Sequence, residues 1–269
     1  MQPAAEKPKK VQLPDGVKVV EDPDELEVFY GDEPSAHIYA LADLEAPFWE
    51  PSTWYRRGDA VVGLVRLPDS NAVTVYAVAT RDELASLALV IDLLPVIQPG
   101  TLITAPSGLN DALRSHRQVV WAGPHLRYVL DDAATAVAHC SPLIEPIGRD
   151  HVDDLVALYA SDPGAAFFLP HMVDSNSFVG AYHDGDLVAA AGTHVLSAAK
   201  RCAAVGSVYT RPSHRGQGLG RAVTAGVIER ITDRVDLIGL NVAADNAPAR
   251  AAYARLGFQA VLAYDEAQI

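Results

Sequence analysis

The sequence is poor in the residues that build metal clusters, disulfide frameworks or membrane spans. Only Cys140 and Cys202 are present in 269 residues, too few for a disulfide scaffold or a zinc site. Free cysteines usually behave as small hydrophobes, so both are expected to be buried. No uninterrupted apolar stretch approaches the ~18 residues of a membrane-spanning helix. Met1 to Lys10 carries proline and lysine with no apolar run behind it. It reads as a frayed tail, not a secretory signal. A cytoplasmic protein with no metal and no membrane partner is the expectation.

Positive charge is also scarce. Lys and Arg number 21 against 34 Asp and Glu, a net of −13. An acidic surface repels a phosphate backbone, which argues against nucleic acid as a partner. The charge is uneven: residues 1–140 hold 11 basic against 20 acidic side chains, residues 141–269 hold 10 against 14. Between 200 and 234, Lys200, Arg201, Arg211, Arg215, Arg221, Arg230 and Arg234 face only Glu229 and Asp233. This basic island in an acidic chain suits a small polyphosphate ligand.

What is abundant is core material. Apolar residues make up 49% and charged residues 20%, a globular composition. The length suits two domains of roughly 130 residues each. In the second half, Leu143 to Ile147 reads as a strand, followed by a helix over 151–159 capped by Asp150. Phe178 to His183, the turn Asp184-Gly185 and Leu187 to Leu196 read as a hairpin. A strand Cys202 to Thr210, a helix Gly218 to Ile231 and a strand Val235 to Val242 follow. Asn246 caps a helix ending near Leu256, with Gly257 as its left-handed terminus. Phe258 to Tyr264 is the last strand.

The first half repeats this order. Helices over 24–30 and 34–44 precede strands at 53–57, 60–67 and 73–79, with a turn at Pro68-Asp69-Ser70-Asn71 between the last two. A helix over 82–94, a strand at 101–104, a helix over 107–116 and a strand over 119–130 complete it. The series strand, turn, strand, turn, strand, helix, strand, helix, strand thus occurs twice, which points to a divergent tandem repeat. The boundary falls in the Ala-rich stretch between Asp131 and Pro142, where no clear pattern is seen. The expected domains are 1–135 and 142–269.

The segment Gly206 to Gly220 carries the chemistry. A β-rich run ends at Thr210, Pro212 stops it, and a helix begins within Gly216, Gly218 and Gly220. Alternating glycines let several backbone N–H groups converge on one ligand at a positively polarised helix start, a pocket for a pyrophosphate. A dinucleotide fingerprint would need glycine where Arg221 stands. A P-loop would need Gly-Lys-Ser/Thr, which is missing. Further on, Asn246 and Tyr253 stand two helical turns apart on one face. Taken alone, a tyrosine there is more often core packing than chemistry.

Together the two segments resemble the GNAT acyltransferase superfamily. Its signature Arg-x-x-Gly-x-Gly/Ala is met by Arg215, Gly218 and Gly220. Its second signature is met by Asn246, Tyr253, Leu256, Gly257 and Phe258. The resemblance covers roughly 143–264, and the tandem arrangement is similar to the glycine-N-acyltransferase-like branch. It implies an α/β (α+β) fold of two tandem GNAT-like domains, each a mixed, mostly antiparallel sheet flanked by helices. The cofactor would be acetyl-CoA, as co-substrate. Val208, Tyr209 and Thr210 would lie along its pantetheine arm, with Gly216, Gln217, Gly218, Leu219, Gly220 and Arg221 around its pyrophosphate, assisted by Arg215 and Asn246. Tyr253 would be the general acid and the Val208 amide would stabilise the oxyanion. The family often carries an acidic base on the strand before the loop, whereas Cys202 to Thr210 has none. His194, His171, Asp174 or water held by Ser207 are the alternatives. In the first half, Val78 to Ala85 puts Asp82 and Glu83 where phosphates would sit, so that copy is expected to be degenerate and unable to bind CoA.

The function implied is N-acetylation of a primary amine of a small molecule or amino acid. Acetylation of a protein N-terminus or lysine, or a non-catalytic acyl-CoA sensor, are the alternatives. Oligomeric state stays open between monomer and homodimer.

Overall fold

The protein is described by a computed structural model covering residues 13–68, 70, 72–164 and 166–269. The tail Met1 to Lys10 and the turn positions Asp69 and Asn71 lie outside the described residues. In the first half, β1 (Lys18–Val20) precedes α1 (Pro23–Gly31), α2 (Ile38–Asp43), β2 (Thr53–Arg57), β3 (Ala60–Arg66) and β4 (Val73–Tyr76). Then come α3 (Glu83–Leu93), β5 (Leu102–Ala105), α4 (Leu109–Arg114), β6 (Trp121–Leu130) and α5 (Ala133–Val137). The second half has β7 (Ile144–Pro146), α6 (Val152–Ala160), β8 (Val179–His183), β9 (Asp186–Ser197) and β10 (Cys202–Thr210). It closes with α7 (Leu219–Ile231), β11 (Leu237–Ala243), α8 (Ala247–Arg255) and β12 (Phe258–Gln268).

Among the described residues the strands form one sheet, in the order β1-β2-β3-β4-β5-β12-β6-β11-β10-β9-β8-β7. Only β4 with β5 and β10 with β11 run parallel; the other neighbours are antiparallel. The sequence led us to expect two sheets, one per half. Instead the last strand of each half crosses over. β12 bonds to β5 and β6, and β6 bonds to β11 and β12. β6, 10 residues long, is thereby flanked by two strands of the second half, and β12, 11 residues long, by two of the first.

Local chemistry explains the elements. The hairpin β8–β9 turns on Asp184 and Gly185, both at positive φ, 52° and 87°, which is the type I′ pattern that matches strand twist. Asn246 caps α8 by accepting from the Ala249 amide at 3.2 Å, and Gly257 follows at φ 91°. The Ala-rich stretch assigned no pattern contains α5. Asp132 caps it by accepting from the amides of Ala134 and Thr135, and Ala136 packs in the core beneath α7. The expected cap at Asp150 is replaced by a 3-10 turn over Arg149–His151 that leads into α6. Cys202 is buried as expected, but Cys140 is only half-buried.

One core lies under α7 and α8, and another under α3 and α4. A third joins the halves through α2, with Ile38, Cys202, Ala204 and Tyr264 in contact. The seam between the halves is apolar around these residues but also buries Asp43 and Arg127. Among the described residues, no helix is long and apolar enough to cross a membrane.

Candidate active site

β10 and β11 run side by side only as far as the pair Val205–Leu240. Beyond it, β11 continues with β6 while β10 continues with β9, so the two parallel strands separate. The separation coincides with a bulge in β10. Gly206 pairs with Gly192 and Tyr209 with Ala190, leaving Ser207 and Val208 opposite Ala191 alone. Ser207 adopts φ 52°, a left-handed conformation that costs about 1 kcal/mol or more for a non-glycine residue. Several bonds hold it there. Its amide donates to His194 Nε2 at 3.0 Å, its hydroxyl to the Phe167 carbonyl at 2.6 Å, and its own carbonyl accepts from Tyr159 Oη at 2.6 Å. Gly206 is needed because a Cβ there would lie 2.3 Å from the His194 ring.

After Thr210 the chain makes a 3-10 turn over Pro212–His214 and enters α7 through Gly216 (φ 79°) and Gly218 (φ 82°). Both require a residue without a Cβ for low strain. Among the described residues, none of the amides from Gly216 to Arg221 donates within the chain. Gly220 has no steric need to be glycine, since a Cβ there would meet Thr210 Oγ1 at an ordinary 3.6 Å. What a side chain would do is cover the approach to these amides. Arg215 Nε donates to the Thr210 carbonyl at 3.0 Å, and Nη2 lies 3.4 Å from Asp162. An exposed pair of that length contributes little, so its main effect is to tie the loop to the strand. The loop is a set of unpartnered donors at the start of a 13-residue helix, which suits a pyrophosphate.

The corresponding helix start in the first half is built differently. The Asp82 carboxylate accepts from the Ala85 amide at 2.9 Å, and Arg81 pairs with Asp32. The α3 N-terminus is therefore capped by its own acid.

Tyr253 is buried in the core under α7 and α8, edge-on to Phe258 with centroids 6.0 Å apart. Burial pushes its hydroxyl up to about 12. Asn246 is exposed, with its oxygen engaged as the α8 cap.

On the other side of the separated strands, between the halves, lies a cavity of about 290 Å³. Tyr39, Arg127, His171, His194, Asn241 and Glu266 are among its lining residues. None of Val208 to Arg221, Asn246 or Tyr253 lines it. His194 does, and burial lowers its imidazole to about 4, so it is neutral near pH 7. Asp174 pairs with Arg149 at the surface and does not reach the cavity. The cavity residues from the first half, Tyr39 and Arg127 above all, were not read from the sequence. An arginine within the apolar run Leu126 to Leu130 was the available signal.

The comparisons agree with this geometry. Residues 144–258 match the model of the acetyltransferase (GNAT) family. A search of curated proteins gives no match. Among solved structures, a GNAT-family protein from Novosphingobium aromaticivorans is 25% identical, over 71% of this chain and 82% of its own, with a TM-score of 0.52. A Drosophila protein matches 95% of this chain and 99% of its own at 16% identity, with a TM-score of 0.68. A tandem GNAT protein from the clavulanic acid biosynthesis pathway is 16% identical over 94% and 98%, with a TM-score of 0.53. The family model and the structural neighbours together support a place for the segment 144–258 in the acetyltransferase (GNAT) superfamily.

Proposed function

We propose that the protein is an acetyl-CoA-dependent N-acyltransferase acting on a primary amine of a small molecule or amino acid. One observation carries the reading: β10 and β11 part after Val205–Leu240 directly beside six unpartnered amides at the start of α7. A pantetheine arm needs such a gap, and a pyrophosphate needs such donors. Arg221 and the basic residues flanking the loop add charge complementarity.

When bound, acetyl-CoA supplies an acyl group as a thioester. The chain's own residues do the rest. The bulged Val208 amide is the donor nearest to where an oxyanion would develop. Tyr253, protonated at physiological pH because burial raises it, is the proton source for the leaving thiolate. The neutral His194 imidazole fixes the bulge by accepting the Ser207 amide. The acceptor amine enters from the cavity between the halves, whose volume suits a small molecule better than a polypeptide end. In this reading the two halves are tandem copies divided near residues 135–142. The first has lost the cofactor site, as the Asp82 cap on α3 suggests, and serves to wall the acceptor cavity.

Thiol release from acetyl-CoA, measured against a panel of small amines, tests the proposal. Amine-dependent release is the expected result. Tight acetyl-CoA binding with no release for any amine would leave a sensor in place of an enzyme.

A further inference from the structure

We infer that the cavity between the halves takes an acceptor bearing a carboxylate on an apolar body, and that Arg127 binds that carboxylate. The word acceptor rests on the acyl-transfer reading; the anion site stands on its own geometry.

Arg127 is 1% exposed. Its Nε donates to Asn241 Oδ1 at 3.0 Å, and Nη1 donates to the Ala36 carbonyl and lies 3.4 Å from Tyr76 Oη. Nη2 has no partner among the described residues. Every group that holds this cation is neutral. Glu266, the nearest strand's acid, is engaged by His125 at 3.5 Å and by Tyr264 Oη at 3.1 Å. Asp43, the other lining acid, is pushed well above the ordinary carboxylate range by burial. A guanidinium removed from water without an anion is strongly disfavoured, and an unmet N–H adds to that.

The surroundings also fix the guanidinium in place. It stacks between the rings of Tyr39, Tyr76 and Tyr264, 5.1, 6.0 and 5.4 Å from their centroids. A planar, oriented fork with a spare N–H matches a carboxylate. Much of the remaining wall is apolar, with Phe48, Val75, Phe167, Met172, Val195 and Val242, beside the polar His171, His194, Thr74 and Thr104. About 290 Å³ accommodates a molecule of amino-acid size. The site exists only because of the strand exchange: β6 brings Arg127, β11 brings Asn241, and β12 brings Tyr264.

The test uses the full-length protein and acceptors that differ only in the carboxylate: L-phenylalanine and L-leucine against their primary amides. Thiol release should give kcat/KM for the acids about 10²-fold or more above the amides. In folded Arg127→Met and Arg127→Lys variants the acid-to-amide ratio should collapse toward one in Met and partly recover in Lys, through KM. Calorimetry with N-acetyl-L-phenylalanine and its amide, in the presence of CoA, reads binding separately. Arg127-dependent binding of the acid without turnover of any amine would uphold the anion site and remove the acyl-transfer reading. Equal turnover of acids and amides by the wild-type protein would overturn the anion site and leave that reading intact. Acids that neither bind nor react would overturn it as well.

Discussion

The Ser207 amide donates to His194 Nε2 at 3.0 Å, across the bulge where β10 leaves β11. Since an amide can only donate, this shorter bond uses the Nε2 lone pair and puts the ring proton on Nδ1, while the Phe167 carbonyl, 3.3 Å from Nε2, is the partner for a protonated Nε2. His194 therefore already has its basic nitrogen occupied. Its part is to hold Ser207 at positive φ and so orient the Val208 amide, and a neutral ring is a condition for that.

Protonation of His194 should accordingly destabilise the protein. Its folded value is about 4, and that of buried His37, lowered by burial and then by Arg127, is about 3. Both lie below the ordinary 6.5. Between these limits the unfolded chain binds more protons, so stability is full above about pH 6.5 and is lost as pH falls toward 4. Each histidine accounts for about 2 kcal/mol at pH 5. Asp43, raised by burial, acts in the opposite sense. The difference between wild type and His194→Gln isolates the histidine: the variant's Tm should fall less between pH 7.5 and pH 5. Parallel Tm profiles would remove His194 from the account.

Tyr253→Phe keeps the ring packed against Phe258 and deletes only the hydroxyl. The turnover number should drop about 10²-fold, as expected for one acid–base group, with acetyl-CoA affinity unchanged. With the hydroxyl at about 12, no loss of kcat belonging to Tyr253 should occur up to pH 9. A variant with wild-type turnover, when chemistry is rate-limiting, would make Tyr253 a packing residue.

Residues 142–269 alone would lack β6, the strand that joins β11 to β12. Such a fragment should be insoluble or melt without a cooperative transition, because two strands lose their ladder and an apolar seam is exposed. A soluble fragment with a sharp transition and intact acceptor kinetics would show that the exchange is dispensable.

Much of this was legible in local chemistry. The limits of β10, the Asp184-Gly185 turn, the Asn246 cap and the Gly257 terminus follow from residues within a few positions of each other, and each is found as read. The order of strands is not local. Nothing in the pattern of β6 or β12 says which neighbour it takes, since antiparallel pairing with β5 or β11 satisfies the same alternation. The cavity depends on that order, which is why Arg127, Tyr39 and Tyr264 escaped notice while the glycine loop did not. α5 was missed because alanine carries little periodicity, though Asp132 ahead of it was a readable cap.

The most direct measurement is calorimetric titration of acetyl-CoA into wild type and Gly218→Val. Gly218 sits at φ 82° among the unpartnered amides, where a β-branched residue is strained and obstructs the approach. Saturable binding to the wild-type protein is predicted, with Kd raised at least about tenfold in a folded variant, a loss of about 1.4 kcal/mol. No binding to wild type, or equal affinity in a folded Gly218→Val protein, would contradict the assignment of this loop as the cofactor site.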